Sequence, residues 1–373
     1  MITKAKFEGF KLLRDVEFPM GRLNVIVGEN GTGKSSILEG LHYLLQLARS
    51  DAPRLKDLFG RGREPAHLAA RPLCDHFRIS IETAAVRQFA LSWGRSVNEQ
   101  RPRFMMALQV APEEAPREFG ADAAGLAFGH DLDDLQLASV VRLRLDATQL
   151  SAPHYSEERF ARVEYDGSGL ATVLQELHSA RDGRFDKLEG DLRKVVPGAT
   201  AIRTTRERIV RRERIKISVD GQQSWSEQQR EYMGAGIEVE WGGMGWVPAA
   251  HLSEGTMLAL GLCTVLHHRP PKLILLDDLD KALHPKAQRE LVALLRSAIA
   301  ANDQLQILAT THSPFVVDEF APEDVLVVAA GKDGSSYVRR LSDHPGWADK
   351  SRFLEAGEFW SAVGESWVAE KKA

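Results

Sequence analysis

The sequence predicts an α/β protein: a mostly parallel sheet core, an N-terminal antiparallel β subdomain and an α+β insertion. Three observations predict it. Near the N-terminus the apolar segment "LNVIV" runs through a glycine-rich loop into a helix-patterned stretch. In the last third, helices alternate with short apolar strands, as in a sheet covered on both faces. Between these blocks lie two helix patterns and a charged, alternating strand.

In chain order, the spacing predicts strands over Lys4 to Phe7, Arg14 to Phe18 and Leu23 to Val27, an antiparallel start leading into a loop. A helix carrying Ile37, Leu38, Leu41, Leu44 and Leu45 on one face follows. Pro53 to Pro72 is rich in Arg, Gly and Pro and reads as loop. "FRISIET" and "QFALSW" read as strands, whereas Asn98 to Gly129 carries little periodicity. "DGSGLATVLQELHSARDGRFDKLEGDLRKVVPG" gives two helices split at Asp182-Gly183 and stopped at Pro197-Gly198. "RERIVRRERIKISV" alternates like an exposed strand, and "IEVEWGGMGWVPA" reads as a hairpin turning at Gly242-Gly243. A helix from Ser253, the strand "KLILLDD", a helix from Pro285, the strand "LQILATT" and the hairpin "VLVVAAGKDGSSYVRRL" complete the pattern. The expected organisation is an N-terminal lobe (1–97), an insertion or arm (98–247), a C-terminal lobe (248–341) and a helical tail (342–373).

Bulk properties exclude several classes. The 373 residues are 43% hydrophobic and 27% charged, as in soluble globular proteins. The net charge of -4 means that any nucleic-acid site must be a local patch. Cys74 and Cys263 lack metal or disulfide spacing, and Cys263 reads as a small core residue. No segment has the apolar length of a membrane span, and the N-terminus lacks a signal-peptide core, so a cytoplasmic protein without a membrane partner is expected.

"GENGTGKS" matches G-x-x-x-x-G-K-[ST] at Gly28, Gly33, Lys34 and Ser35. Glycines let backbone N–H groups turn inward around phosphate oxygens. Lys34 adds a charge at the β/γ-phosphates, and Ser35 offers a hydroxyl to Mg²⁺. The following helix points its positive end at the same anion. Asn30, Gly31 and Ser36 complete the expected nucleotide-binding loop. Further on, "LILLDDLD" is an apolar strand ending in acid, with Asp277 placed to hold Mg²⁺ and Asp278 placed as general base. "HLSEGT" puts Ser253 at a helix N-cap with Gly255 behind it, and "LATTHSP" ends a strand at His312.

In chain order these four motifs run "GENGTGKS", "HLSEGT", "LILLDDLD" and "LATTHSP", and in that order they resemble the ABC-type ATPases of the RecF/SMC/OLD-like group, prokaryotic "AAA family ATPases". "FEGFKLLRDVEF…LNVIVGENGTGKSSILEGL", "LSEGT" and "ALHP" carry the resemblance, over residues 1–45 and 248–340. It implies an ABC-ATPase head with a RecA-like core, in which two heads sandwich two ATP molecules. Ser253 and Gly255 would then touch the γ-phosphate held by the other copy, and His312 would act as the switch histidine. Relatives read D-E-P-E where this chain reads Asp277, Asp278, Leu279, Asp280. The shorter Asp278 makes slow hydrolysis the expectation, with Asp280 facing the dimer seam. For the Q-loop glutamine, Gln88 and Gln109 both remain open. The chain ends soon after "YVRRL", leaving no room for the nuclease domain of OLD-type relatives. Any cutting is expected from a separate nuclease or toxin subunit, in genome maintenance or anti-phage defence. A non-hydrolysing scaffold and a RecF-like DNA-repair ATPase are the rival readings, and a transporter ATPase a weaker one.

Arg203, Arg206, Arg208, Arg211, Arg212, Arg214 and Lys216 crowd one segment. They read either as a phosphate-tracking surface for DNA or RNA or as the charges that keep an exposed strand soluble. In the tail, Phe353, Trp360, Val363 and Trp367 recur at helical spacing. A short amphipathic helix packed on the chain's own head is preferred there over a docking surface.

Overall fold

The structure is a computed structural model. It describes residues 1–47, 65–70, 76–85, 88–94, 103–109, 117–120, 139–158, 160–219 and 222–370. Most of the Pro53 to Pro72 stretch lies outside them. The chain divides into two compact units. The first comprises Met1–Arg142, Pro271–Lys281 and Leu295–Ala373; the second comprises Leu143–Pro270 and Ala282–Leu294.

The first unit contains two sheets. In one, β1 (Ile2–Phe10), β2 (Leu13–Pro19), β4 (Phe77–Thr83), β5 (Gln88–Gly94), β6 (Arg103–Gln109) and β7 (Arg117–Gly120) run in the order β2-β1-β4-β5-β6-β7. Every pairing is antiparallel. Phe7, Phe10, Phe18, Phe77 and Phe89 are fully buried, so a large part of this core is aromatic. β6 and β7 extend the sheet beyond residue 97, into the stretch with little sequence periodicity.

The other sheet has the order β15-β14-β3-β13-β12-β8, formed by β3 (Leu23–Val27), β8 (Val140–Leu143), β12 (Leu273–Leu276), β13 (Gln306–Thr310), β14 (Val325–Ala330) and β15 (Ser336–Arg340). β3, β12, β13 and β14 are mutually parallel, and β15 is the antiparallel edge. The expected place of β3 in the antiparallel start is therefore corrected. Its run Val25, Ile26, Val27 is buried on both faces, which a parallel interior strand requires and a half-exposed one does not.

Helix α1 (Lys34–Leu47) leaves β3 and buries the expected face: Ile37, Leu38, Leu41, Leu44 and Leu45. Gly40 lets it approach the aromatic sheet. A Cβ there would stand 2.7 Å from a Phe7 ring atom and 3.1 Å from Phe10 and Ile79.

The second unit is a helical layer with a β-ribbon. α2 (Ala147–Ser151), α3 (Leu170–Ala180), α4 (Arg184–Val195) and α5 (Glu254–His268) pack together, and α5 buries nearly every residue. The split between α3 and α4 falls where expected, with Gly183 at φ +82°. The ribbon pairs β9 (Ala199–Val219) with β10 (Gln222–Trp241), and β11 (Trp246–Pro248) adds a short third strand past the Gly242-Gly243 turn.

Within the first unit, the tail also departs from expectation. Short helices over Trp347–Lys350 and Ala356–Val363 and a 3-10 turn at Ser366–Ala369 replace a single helix, because Gly364 at φ +63° ends the middle one. Phe353 is 85% exposed, while Trp360 and Trp367 are buried on the head, as preferred. No helix among the described residues is long and apolar enough to cross a membrane.

The Gly40 contact makes a stability prediction. Gly40→Val should cost about 1–3 kcal/mol through overpacking. Gly190→Ala, in α4 with nothing within 4 Å of the added methyl, should leave stability unchanged or raise it by up to about 1 kcal/mol. Thermal and urea unfolding of both variants would show it, and a Gly40→Val protein as stable as wild type would refute the close approach.

Candidate functional site

The loop after β3 is shaped by three glycines at positive φ: Gly28 (+146°), Gly31 (+79°) and Gly33 (+106°). At Gly28 a Cβ would lie 2.1 Å from the Val328 carbonyl oxygen, and at Gly33 2.8 Å from Ser336 Oγ. Strands β14 and β15 therefore press the loop from one side. Ser336 Oγ donates to Thr32 O (2.5 Å), and Thr32 Oγ1 donates to Glu29 O (2.9 Å). The other side is open: Glu29, Asn30, Gly31 and Ser35 are exposed, and Ser36 is half-buried.

Lys34 folds back into the loop. Its Nζ donates to Gly28 O (2.7 Å) and Glu29 O (2.8 Å). Burial lowers its pKa, opposed by the carboxylates of Asp278, Asp277, Glu365 and Asp280. A loop of this shape at the start of α1 can hold an anion by backbone N–H groups, the helix dipole and one ammonium.

Asp277 follows β12 and is 3% exposed. Its Oδ1 accepts from Ser35 Oγ (3.1 Å) and Thr310 Oγ1 (2.8 Å). Its Oδ2 is buried without a hydrogen bond, 3.9 Å from Arg142 Nη2. A hydroxyl and a carboxylate side by side, with one buried oxygen unsatisfied, fit a hard divalent cation such as Mg²⁺. Among the described residues no cluster of three or more His, Cys, Asp or Glu forms a metal cage.

Asp278 adopts φ +59°, and its N–H donates to Thr310 Oγ1 (2.9 Å). Asp280 is half-buried. Its Oδ1 accepts from Thr311 Oγ1 (2.6 Å) and from the backbone N–H of His312 (3.2 Å). The carboxylate ties the segment after β13 to the acidic strand end of its own chain. His312 itself is exposed. Sequence reasoning missed Thr310 and Thr311, which join this segment to the acidic strand end. Their only signal was the threonine pair preceding His312.

In the second unit Ser253 caps α5, its Oγ accepting from Thr256 N (3.2 Å), and stands exposed. Gly255 is buried, and a Cβ there would lie 2.9 Å from Ala282 O. The glycine thus has a packing reason within its own chain. Gln88 and Gln109 are cross-strand partners in the antiparallel sheet, so neither stands on the parallel strands.

A second network missed in sequence joins α1 to the turn after β1. Glu39, four residues past Ser35, accepts from Lys11 Nζ (2.5 Å) and Tyr43 OH (2.5 Å). Burial alone would raise its pKa, but the bonds from Lys11 and Tyr43 and the charges of Lys11 and Arg142 outweigh it, leaving it below the ordinary value. A depressed carboxyl stabilises the fold above its unfolded pKa and loses that contribution as pH falls through its folded pKa. Glu39→Gln should therefore lower stability by about 1–3 kcal/mol near neutral pH. The gap should narrow in acid, below the ordinary Glu range; urea unfolding at several pH values measures it, and a constant gap would refute the linkage.

Comparison with known proteins follows this geometry. Residues 131–318, half of the chain, match the family described as "AAA domain, putative AbiEii toxin, Type IV TA system". Residues 1–87 match the family described as "AAA ATPase domain". The Septu protein PtuA of Bacillus thuringiensis is 38% identical over 69 residues, which cover 18% of this chain and 17% of PtuA. The OLD nuclease of Thermus scotoductus is 22% identical over 403 aligned positions, covering all of this chain and 70% of that protein. An SMC head solved with the C-terminal winged-helix domain of ScpA superposes with TM-score 0.60 at 17% identity, covering 91% of this chain and 96% of that one. The fold is thus that of an SMC-type head, and the chain belongs to the "AAA domain, putative AbiEii toxin, Type IV TA system" family, within the ABC-type P-loop ATPases of the RecF/SMC/OLD group.

Proposed function

We propose that this protein is an ATP-dependent switch that binds Mg²⁺-ATP, dimerises on it and resets by slow hydrolysis. The observation that carries the reading is the Ser35 hydroxyl hydrogen-bonded to the Asp277 carboxylate, beside a glycine loop that opens onto solvent. Gly28, Asn30, Gly31 and Gly33 line the phosphates, and Ser36 lies in the first turn of α1 beside them. Lys34 exchanges its two loop carbonyls for phosphate oxygens, which offset the burial that lowers its pKa. Ser35 and Asp277 hold the magnesium ion, which neutralises charge on the phosphate oxygens when bound. Asp278 orients the attacking water as general base, and His312 positions the same water. Ser253 and Gly255, at the positive end of α5, receive the γ-phosphate held by a second copy.

What the nucleotide state controls is either nucleic acid or a separate nuclease or toxin subunit, in genome maintenance or anti-phage defence. The toxin–antitoxin wording of the family description and the OLD nuclease and PtuA relatives support this branch. The position of Asp278 keeps a second reading in play, an ATP-held scaffold that scarcely turns over, because a short acid in a left-handed backbone is a restricted base.

Two variants test the switch. Asp278→Asn should keep ATP binding, accumulate an ATP-bound dimer and lower turnover by about 10²–10⁴-fold. Phosphate release at wild-type rate would move the base elsewhere, and no turnover by wild type with Mg²⁺ would favour the scaffold.

Ser253→Arg puts bulk at the exposed end of α5. Light scattering with a slowly hydrolysed ATP analogue should show a monomer that still binds nucleotide. Dimerisation equal to wild type would argue against a composite site.

A further inference from the structure

The tail of the first unit is held together by its aromatic residues. His344 stands edge-on to both Phe359 (5.0 Å between ring centroids) and Trp367 (4.9 Å), and Trp347 packs against Phe359 at 5.0 Å. The indole of Trp360 donates to Glu365 Oε1 (3.1 Å) and that of Trp367 to Gly364 O (3.1 Å), bridging the bend after the helix Ala356–Val363.

The two halves of this block grip different parts of the unit. The 3-10 turn Ser366–Ala369 packs on β14 and β15, the strands that press on the glycine loop, and Arg339 of β15 donates to Trp367 O (3.3 Å). Glu365 lies at the bend. Burial lowers the Lys34 pKa, and the Glu365 carboxylate is among the charges that oppose it. The helix Ala356–Val363 instead packs on the short helix Pro314–Val317, which begins two residues after His312. Gly357 makes that contact. Its N–H, one of those a helix leaves without an internal partner in its first turn, donates to Asp318 Oδ1 (2.7 Å). A Cβ on Gly357 would stand 2.1 Å from Pro314 O and 2.8 Å from Asp318 Oδ1, so only glycine lets the two helices meet this closely.

The same segment is tied at its other end to the acidic turn. Thr311 Oγ1 and the His312 N–H both donate to Asp280 Oδ1, and the Ser313 N–H donates to Thr311 Oγ1 (3.1 Å). From there the Val317 N–H closes on Ser313 O (3.2 Å) and the Asp318 N–H on Pro314 O (2.9 Å). His312 is therefore an exposed side chain on a backbone anchored from both directions, by Asp280 at its own amide and by Gly357 just beyond it.

We propose that the tail is a brace that positions His312, with Gly357 and Asp318 as its point of attachment. The inference rests on the proposed ATP switch, in which His312 positions the attacking water. An exposed ring is placed no more accurately than the backbone beneath it, and a misplacement of about 1 Å costs about 10²-fold in rate. Gly357 and Asp318 touch no reacting atom; they act through the segment that carries the imidazole. The aromatic block lies away from this attachment, so the contact can be loosened without dismantling the tail's own packing.

The test uses the full chain and two variants. Gly357→Ala wedges a methyl group against Pro314 O. Asp318→Ala removes the acceptor without adding bulk, and so serves if the first variant folds poorly. ATP affinity is read with a fluorescent analogue, turnover as phosphate release, and backbone order as hydrogen exchange over Thr311 to Phe320 without nucleotide. Both variants should keep wild-type ATP affinity, lower kcat by about 10–10²-fold and speed exchange over that segment. In a His312→Ala background neither should lower kcat further, because both act through the same ring. Phe353→Ala, at a tail position that is 85% exposed, should match wild type in every measurement. The proposal is overturned if exchange over Thr311 to Phe320 is unchanged in both variants, if both turn over at the wild-type rate, or if their losses add in full to that of His312→Ala. Weakened ATP binding in both also overturns it, since a brace on His312 does not hold the phosphates. The exchange data need no turnover. A wild type that binds ATP without hydrolysing it therefore sinks the hydrolytic reading, while exchange still decides the brace.

Discussion

The carboxylate of Asp277, closing a strand of four fully apolar residues, is the constraint on which the first unit's chemistry depends. Removing a charge from water is costly unless it is paired and hydrogen-bonded. Here the compensation comes from three elements at once: Ser35 on α1, Thr310 at the end of β13 and the guanidinium of Arg142 on β8. Bonding one oxygen of this buried acid thereby fixes the start of the helix after the glycine loop against the parallel sheet. The same contacts that make the buried acid acceptable hold the Ser35 hydroxyl 3.1 Å from the Asp277 carboxylate.

The acids beyond Asp277 show how a three-acid run acquires three different environments. Asp277 is buried, Asp278 is turned by a left-handed backbone, and Asp280 reaches forward to Thr311 and the His312 amide. Between them, the Leu279 N–H donates to Thr310 O (2.9 Å), and the Thr310 hydroxyl both donates to Asp277 and accepts from the Asp278 amide. This ladder makes the segment around His312 and the acidic turn one mechanical piece. A movement of either must be matched by the other or break several short-range bonds.

Legibility in the sequence followed the strength of local signals. The glycine loop, α1, the apolar strands and the Ser253 cap were readable because each carries its own period or motif. β6 and β7, the last two strands on one side of the antiparallel sheet, were not, because such strands owe their state to neighbours rather than to alternation. The sheet membership of β3 was also hidden, since "LNVIV" has the same appearance in either sheet until its parallel partners are known. In the site, the loop residues and acids were visible as letters, but their partners were not. Arg142 and Asp277 are far apart in the chain, as are Lys11 and Glu39, and no spacing rule joins them. In the tail the helical spacing of the aromatic residues does not yield one helix, because Gly364 at φ +63° stops it and Phe353 lies before its start.

The departure from the family's D-E pattern gains a physical account from the backbone. At φ +59° a short polar side chain is among the few non-glycine choices that the left-handed region favours, and Asp is one of them. The cost of that conformation is offset by the bond from the Asp278 amide to Thr310, a residue held in place by Asp277. A longer Glu in the same backbone would gain reach toward a nucleotide but lose some of that conformational fit. The turn is therefore built around an Asp, and its limited reach follows from the geometry that holds it rather than from an isolated substitution. One bond network thus holds both the Asp277 carboxylate and the Asp278 backbone, so neither residue of this strand end can be altered without bearing on the other.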